Sequence, residues 1–262
     1  AVRDLLTGTP IIPRMRRDAA LVMPSGITES TYTKWMAGDA TRLGYNRLPK
    51  AVEIIASRIA DAEGPTFTYW YVPVVDTLAH ALGVSAARVA AAAIEVDTAV
   101  AALTERLAAA RGGLRIVATA DHGHLDINPH LEVGAADPLL ELLSAPPSGD
   151  TRTQFWHVDP ERRPEFEAAF RHRFGDHFLL LETAEVEALR LLGPDTLSPD
   201  VRARLGDYMT LARAAATLRF EGYPGHEHYR EMRSAHSGLT PAEMLVPLIV
   251  AGSGDPPDGM YR

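Results

Sequence analysis

The stretch Leu114-Arg-Ile-Val-Ala-Thr-Ala-Asp121-His122-Gly-His124 decides how the chain is read. Ile116, Val117 and Ala118 form a short apolar run, partly β-branched, in a stretch that Gly112 and Gly113 precede. Such a run fits an interior strand of a parallel sheet, buried on both faces. It ends in a carboxylate, an imidazole and a glycine, and open α/β sheets take their ligands beyond the carboxyl ends of strands. Asp121 beside His122 offers a hard oxygen and a borderline nitrogen, a pair that suits zinc or manganese. Gly123 lets backbone or ligand approach closely.

Upstream, residues 66–75 are rich in β-branched and aromatic side chains and read as a strand whose pairing Pro73 interrupts. Asp76 follows, then His80; if the chain turns helical here, the two lie one turn apart on one face. Ser85 reads as the N-cap of a long helix with an apolar stripe at Val89, Ala93, Val96, Val100, Leu103 and Leu107, stopped by Gly112 and Gly113. Strand 66–75, helix 86–111 and strand 114–120 then make a right-handed crossover. Parallel strands end on the same side, so Asp76 and Asp121 are expected at one edge of the sheet.

The rest of the chain supplies the frame. Ala19–Met23 reads as a strand closed by Pro24, and residues 27–49 as loop plus a short helix. Residues 51–62 carry helical spacing. Residues 146–150 read as a loop, 154–158, 177–181 and 208–212 as strands, 163–174 as a charged surface helix and 184–192 as another helix. Near the end, Thr240, Pro241 and Glu243 spell a capping box, and a last strand follows at 246–251. His236 stands just before that turn. These readings give one α/β domain over residues 1–262: a mainly parallel sheet with helices on both faces, and a small α/β subdomain at about 138–225.

Composition narrows the chemistry. A net charge of -8 over 262 residues argues against nonspecific nucleic-acid or anionic-membrane binding, but not against a small phosphorylated substrate at a local metal site. With 0 cysteines, any metal must be held by His, Asp and Glu. No apolar run approaches the roughly 20 residues of a membrane span. Charge within the first residues, Ala1-Val-Arg-Asp-Leu-Leu, speaks against a signal peptide, so a soluble, cytoplasmic protein is expected.

Five residues stand out: Asp76, His80, Asp121, His122 and His236. Asp76, His80 and His236 would give one metal three protein ligands and leave a position open, as catalytic sites do. Asp121 and His122 would give part of a second site. The motifs Tyr71-Val-Pro-Val-Val-Asp76-x-x-x-His80, Ala120-Asp121-His122-Gly-His124 and His236-Ser-Gly-Leu-Thr-Pro-x-Glu-Met-Leu-Val-Pro resemble, in their order, the alkaline-phosphatase-like superfamily. The nearest branch is the type I phosphodiesterase / nucleotide pyrophosphatase group, whose later two-thirds the chain fits from about Arg14 onward.

The resemblance implies two divalent ions, zinc or else manganese, the first on Asp76, His80 and His236 and the second on Asp121 and His122. It implies hydrolysis of phosphodiester or nucleotide pyrophosphate bonds. The alternatives are a phosphomonoesterase, a phosphonate hydrolase or mutase, or a metal-binding domain without catalysis. It also implies an Asp at the end of an earlier strand and a Thr or Ser nucleophile, both expected upstream of a chain that begins partway into a larger protein. Thr28 and Thr7 only superficially match such a nucleophile. His124 and His130 read as loop histidines or as groups orienting the ligands. His226 and His228 could chelate by their alternate spacing, and Arg152, in a loop before a strand, could reach an anionic substrate.

Overall fold

The structure is a computed structural model that describes residues 8–108, 113–222 and 226–253, with the side chains of residues 226–228 and 253 left aside. Thr7 and Gly112 lie outside the described residues. The first elements are strand β1 (Asp18–Pro24), helix α1 (Thr31–Ala37), β2 (Thr41–Tyr45), α2 (Leu48–Ala60) and β3 (Thr66–Trp70). Then come α3 (Val74–Leu82), α4 (Ala87–Leu107), β4 (Leu114–Thr119), β5 (Leu125–Asp126), β6 (His130–Val133), β7 (Leu143–Asp150) and β8 (Thr153–Val158). They are followed by α5 (Arg163–Phe174), β9 (Phe178–Glu182), α6 (Thr183–Ala188), α7 (Pro199–Leu205), β10 (Tyr208–Ala212) and β11 (Thr217–Phe220). The chain closes with α8 (His226–Glu231), β12 (Ser234–Ala235), α9 (Pro241–Met244) and β13 (Leu248–Ser253). The elements fall into two compact units: the described parts of Ala1–Val75, Ala90–Thr119 and Leu248–Arg262, and those of Asp76–Val89 and Ala120–Pro247.

In the first unit, β1 is the centre of a parallel three-stranded sheet ordered β2-β1-β3. Its run Ala20-Leu-Val-Met23 is buried throughout, the pattern of a strand covered on both faces. Successive side chains point to opposite faces. Val22 meets α2 and α4 through Val52, Ile55, Ala99 and Leu103. Leu21 and Met23 meet Ala37 of α1 and Ile12 on the other side. Helices therefore flank both faces of this sheet, as the sequence suggests.

The expected crossover takes a different form. β3 pairs with β1, whereas β4 pairs antiparallel with β13 over six residue pairs. The most continuously apolar strand took the centre of the sheet, and that is β1. β4 is only partly covered, with Val117 56% exposed. β2 lay hidden in the segment read as loop because Arg42 and Gly44 mask its strand character. Ser85 does not cap α4: the helix starts at Ala87, and the Ser85 hydroxyl donates to Asp126 Oδ2 at 3.3 Å.

The second unit carries an antiparallel sheet ordered β7-β8-β10-β9. The stretch 146–150, read as a loop, belongs to its edge strand β7, and the register slips between Leu143 and Ala145 and again between Ala145 and Ser148. Pro146 and Pro147 sit in that slip; proline is tolerated at an edge or a bulge because it has no N–H to give to a ladder. The charged helix α5 is more than a surface helix: Phe166, Phe170 and Phe174, four apart, are buried against Trp156, Val158 and Tyr208. The helix read at 184–192 ends at Ala188, with Arg190 at φ 56. β11 pairs in parallel with β6, a two-stranded ribbon too short to announce itself in the sequence.

Candidate metal centre

The site lies wholly in the second unit and begins on α3. Asp76 and His80 are one turn apart, as the sequence requires of a helix, with His80 Nε2 3.4 Å from Asp76 Oδ1. His80 Nδ1–H donates to the Ser234 carbonyl at 2.9 Å. A carbonyl only accepts, so this bond puts a proton on Nδ1 and turns Nε2 toward Asp76.

A second device brings two more histidines in. The two-residue strands β5 and β12 pair antiparallel, Leu125 opposite Ala235 and Asp126 opposite Ser234. His124 directly precedes β5 and His236 directly follows β12, so the ribbon delivers both to the same end. His124 Nε2 lies 2.7 Å from Asp76 Oδ1, while its Nδ1 is bonded to the Ser234 hydroxyl at 3.0 Å. His236 Nε2 lies 3.8 Å from the same oxygen, with Nδ1 3.2 Å from the Ser237 hydroxyl. Ligand atoms of Asp76, His80, His124 and His236 all fall within 4.8 Å of one another. Ser234, fully buried, orients two of these rings at once, one through its carbonyl and one through its hydroxyl.

Asp121 and His122 stand at the border of this group. His122 Nε2 is 4.0 Å from Asp76 Oδ1 and 3.6 Å from Asp121 Oδ1, and its Nδ1–H donates to the Gly123 carbonyl. Its ring stacks on that of His236 with centroids 3.5 Å apart and planes 13° apart. Asp121 remains largely open, its side chain 75% exposed.

The electrostatics match. Hydrogen bonds from His124 and His80 hold the Asp76 carboxyl well below the usual carboxylate range. Asp76 in return raises His80. Burial, helped by the neighbouring His122, His124 and His80, pushes His236 down to about 4, so it stays neutral with its lone pair free. Nε2 lone pairs that face one carboxylate oxygen repel it unless a cation lies between them, a proton or a metal ion. Three imidazole nitrogens and one carboxylate oxygen, each ring held through its far nitrogen, make a set of donors that could hold a metal ion.

Sequence reasoning named Asp76, His80, Asp121, His122 and His236; it passed over His124 as a ligand and did not see Ser234. The signal for His124 is its place next to β5, but a two-residue ribbon leaves no periodicity to read. Arg152 is not poised for a substrate. It is fully buried and paired with Glu243, Nε to Oε1 at 2.5 Å and Nη2 to Oε2 at 2.8 Å. His130 lies apart, bonded to the Thr217 hydroxyl and to Arg219 Nη2. The Thr28 hydroxyl donates locally to the Ser25 carbonyl at 3.1 Å. His226 and His228 open α8, and their side chains lie outside the described residues.

The first unit holds a parallel sheet with helices on both faces and the second holds a carboxylate–imidazole cluster, an α/β chain with the donor set for a metal ion. The family profile of type I phosphodiesterases / nucleotide pyrophosphatases matches residues 13–218, and the chain belongs to that family. Solved structures agree on the fold. Murine ectonucleotide pyrophosphatase / phosphodiesterase 5 superposes with a TM-score of 0.61 at 14% identity, over 90% of this chain and 61% of that one. Its human counterpart gives 0.61 at 12% identity, over 91% and 61%. Phosphonoacetate hydrolase from Sinorhizobium meliloti 1021, in complex with phosphonoformate, gives 0.57 at 17% identity, over 90% and 65%. The chain thus spans about three fifths of the length of these structures. No curated protein matches it by sequence. Among the described residues no helix is long and apolar enough to cross a membrane.

Proposed function

We propose that the chain carries the divalent-metal centre of a hydrolase that cleaves phosphodiester or nucleotide pyrophosphate bonds. The observation that carries the reading is the convergence of imidazole nitrogens on Asp76 Oδ1, in a chain of the phosphodiesterase family. One ion is assigned to Asp76, His80 and His236, joined by His124; a second is assigned to Asp121 and His122. Zinc is the preferred metal for this mixture of nitrogen and oxygen donors, with manganese second. Bound there, the ions supply electrophilic stabilisation of a phosphoryl group and its leaving oxygen.

The protein side of the chemistry is positioning. Ser234 holds His80 and His124 with their Nε2 atoms inward before any ion arrives. His236 is kept neutral by burial, so it competes for no proton above about pH 4. The proposed substrate is a small phosphorylated or nucleotide molecule, and the open carboxylate of Asp121 leaves that part of the cluster accessible to it. The attacking Thr or Ser, with a further Asp ligand, is assigned to parts of the whole protein other than the residues matched here.

The test is an assay of the whole protein, stripped of metal and reloaded with zinc, on an aryl phosphodiester, a dinucleotide pyrophosphate, an aryl phosphomonoester and a phosphonate. The reading expects zinc-dependent cleavage of the first two in preference to the others. Preferred cleavage of the monoester or the phosphonate would move the protein to another branch of the superfamily. No zinc-dependent cleavage of any of them would overturn the reading.

A further inference from the structure

We infer that the buried Arg152–Glu243 pair is a positioning device that sets the two ligand-bearing segments, His122–His124 and His236, in register. The inference rests on the metal reading of the site and adds residues that touch no ion. Arg152 and Glu243 are 0% and 2% exposed. Their fork-to-fork bonds leave Arg152 Nη1 to donate to the Ala214 and Ala216 carbonyls at 2.8 and 2.7 Å. Glu243 is equally saturated: Oε1 takes the Gly238 N–H at 2.7 Å, and Oε2 takes the Thr240 N–H at 3.2 Å and the Thr240 hydroxyl at 2.6 Å.

Apart from its pairing with Arg152, the bonds that the Glu243 side chain accepts all hold one short segment, the one that leaves His236. The Glu243 side chain gathers Gly238 and Thr240, and Arg152 anchors Glu243. Beside Arg152, the Thr153 hydroxyl donates to the Ser237 carbonyl. Ser237 stands at φ 86, a left-handed conformation that is strained for a residue with a Cβ and persists only where its surroundings impose it. The other ligand segment is tied through the backbone of the same residue: the Glu243 carbonyl accepts the Gly123 N–H, between His122 and His124, at 2.7 Å. Neither contact leaves slack. A Cβ on Gly238 would stand 2.7–2.9 Å from Arg152 Nη2 and the Glu243 oxygens, and one on Gly123 would stand 2.0 Å from the Ala242 carbonyl oxygen.

A buried ion pair is weak evidence for stability, because apolar side chains of similar volume commonly replace it at no loss. What apolar side chains cannot do is hold the Gly238 N–H, the Thr240 N–H and the Thr240 hydroxyl at fixed angles. The network therefore matters for where His236 and His122–His124 stand, and groups that orient metal ligands typically carry about 10–100-fold in metal affinity.

The experiment replaces both charges, R152M/E243L, in the full chain. Zinc affinity is measured by titration of the metal-free protein, the cobalt(II) visible spectrum is recorded, and unfolding is followed by circular dichroism. The expected result is a folded protein with zinc affinity about 10–100-fold weaker and a changed cobalt spectrum. A folded double variant with the wild-type zinc affinity and cobalt spectrum overturns the inference. If the double variant does not fold, E243Q decides by the same two readouts, since it keeps the side-chain shape but replaces one acceptor oxygen with an NH2 donor. The wild type separates the two levels: if it binds no zinc, the metal reading itself fails, whereas zinc binding that ignores the pair sinks only the positioning role.

Discussion

Asp76 is the residue on which the site turns, and its neighbours titrate in opposite directions. His80 is raised by the Asp76 carboxylate, so in the metal-free protein it contributes stability that is complete below the ordinary histidine value of 6.5 and lost as pH rises through its folded value. His236 is lowered to about 4 from 6.5, so its contribution is complete above 6.5 and lost as pH falls through that window to about 4. Urea unfolding of chelator-treated protein at about pH 7 and pH 5 checks this. The wild type is expected to lose more stability than H236A between the two, and equal losses would contradict the assignment. At this scale the sequence is informative wherever a polar side chain sits on or just after a long element: Asp76 and His80 share one helical turn, and Asp121 and His122 follow the end of β4. His124 and Ser234 escaped because what joins them is a hydrogen bond across 110 residues of chain.

Among elements, the clearest case is the turn at α9. Thr240 and Glu243 form the capping box that their spacing announces. The sequence cannot show that Glu243 also reaches Arg152, 91 residues away. A local motif thus reads correctly as a helix start while its larger part stays hidden. The same limit explains β7, where two prolines signal a loop but the structure absorbs them in a bulged edge strand. It explains β4 too, whose apolar run fits a central parallel strand but ends beside β13 in an antiparallel pair. Gly123 offers a test at this scale. In G123A the new Cβ meets a carbonyl oxygen that cannot swing aside, so the Gly123–Glu243 contact must open. Strain of this kind typically costs about 1–3 kcal/mol. Urea unfolding of metal-free protein should show that loss and zinc titration a weaker site; a G123A protein unchanged in both would show that the segment has room to spare.

At the scale of the whole molecule, what the sequence makes legible is the order of the motifs and the α/β character. The partition of strands among separate sheets depends on long-range pairing, which local patterns do not encode. The first unit supplies a parallel sheet with helices on both faces, and the second holds every residue of the cluster within one packed body. The proposed reaction rests on membership in the phosphodiesterase family and on the cluster around Asp76. The most direct measurement of the central claim is elemental analysis of zinc retained by the full chain after exhaustive dialysis, with affinities from titration, for the wild type, H80A, H236A and H172A, the last changing an exposed histidine of α5. The expected result is zinc bound by the wild type and H172A alike, and an affinity lowered by more than about 100-fold in H80A and H236A, since a ligand should count for more than the groups that orient it. A wild type that retains no zinc, or an H80A protein that holds it as tightly as the wild type, would contradict the account.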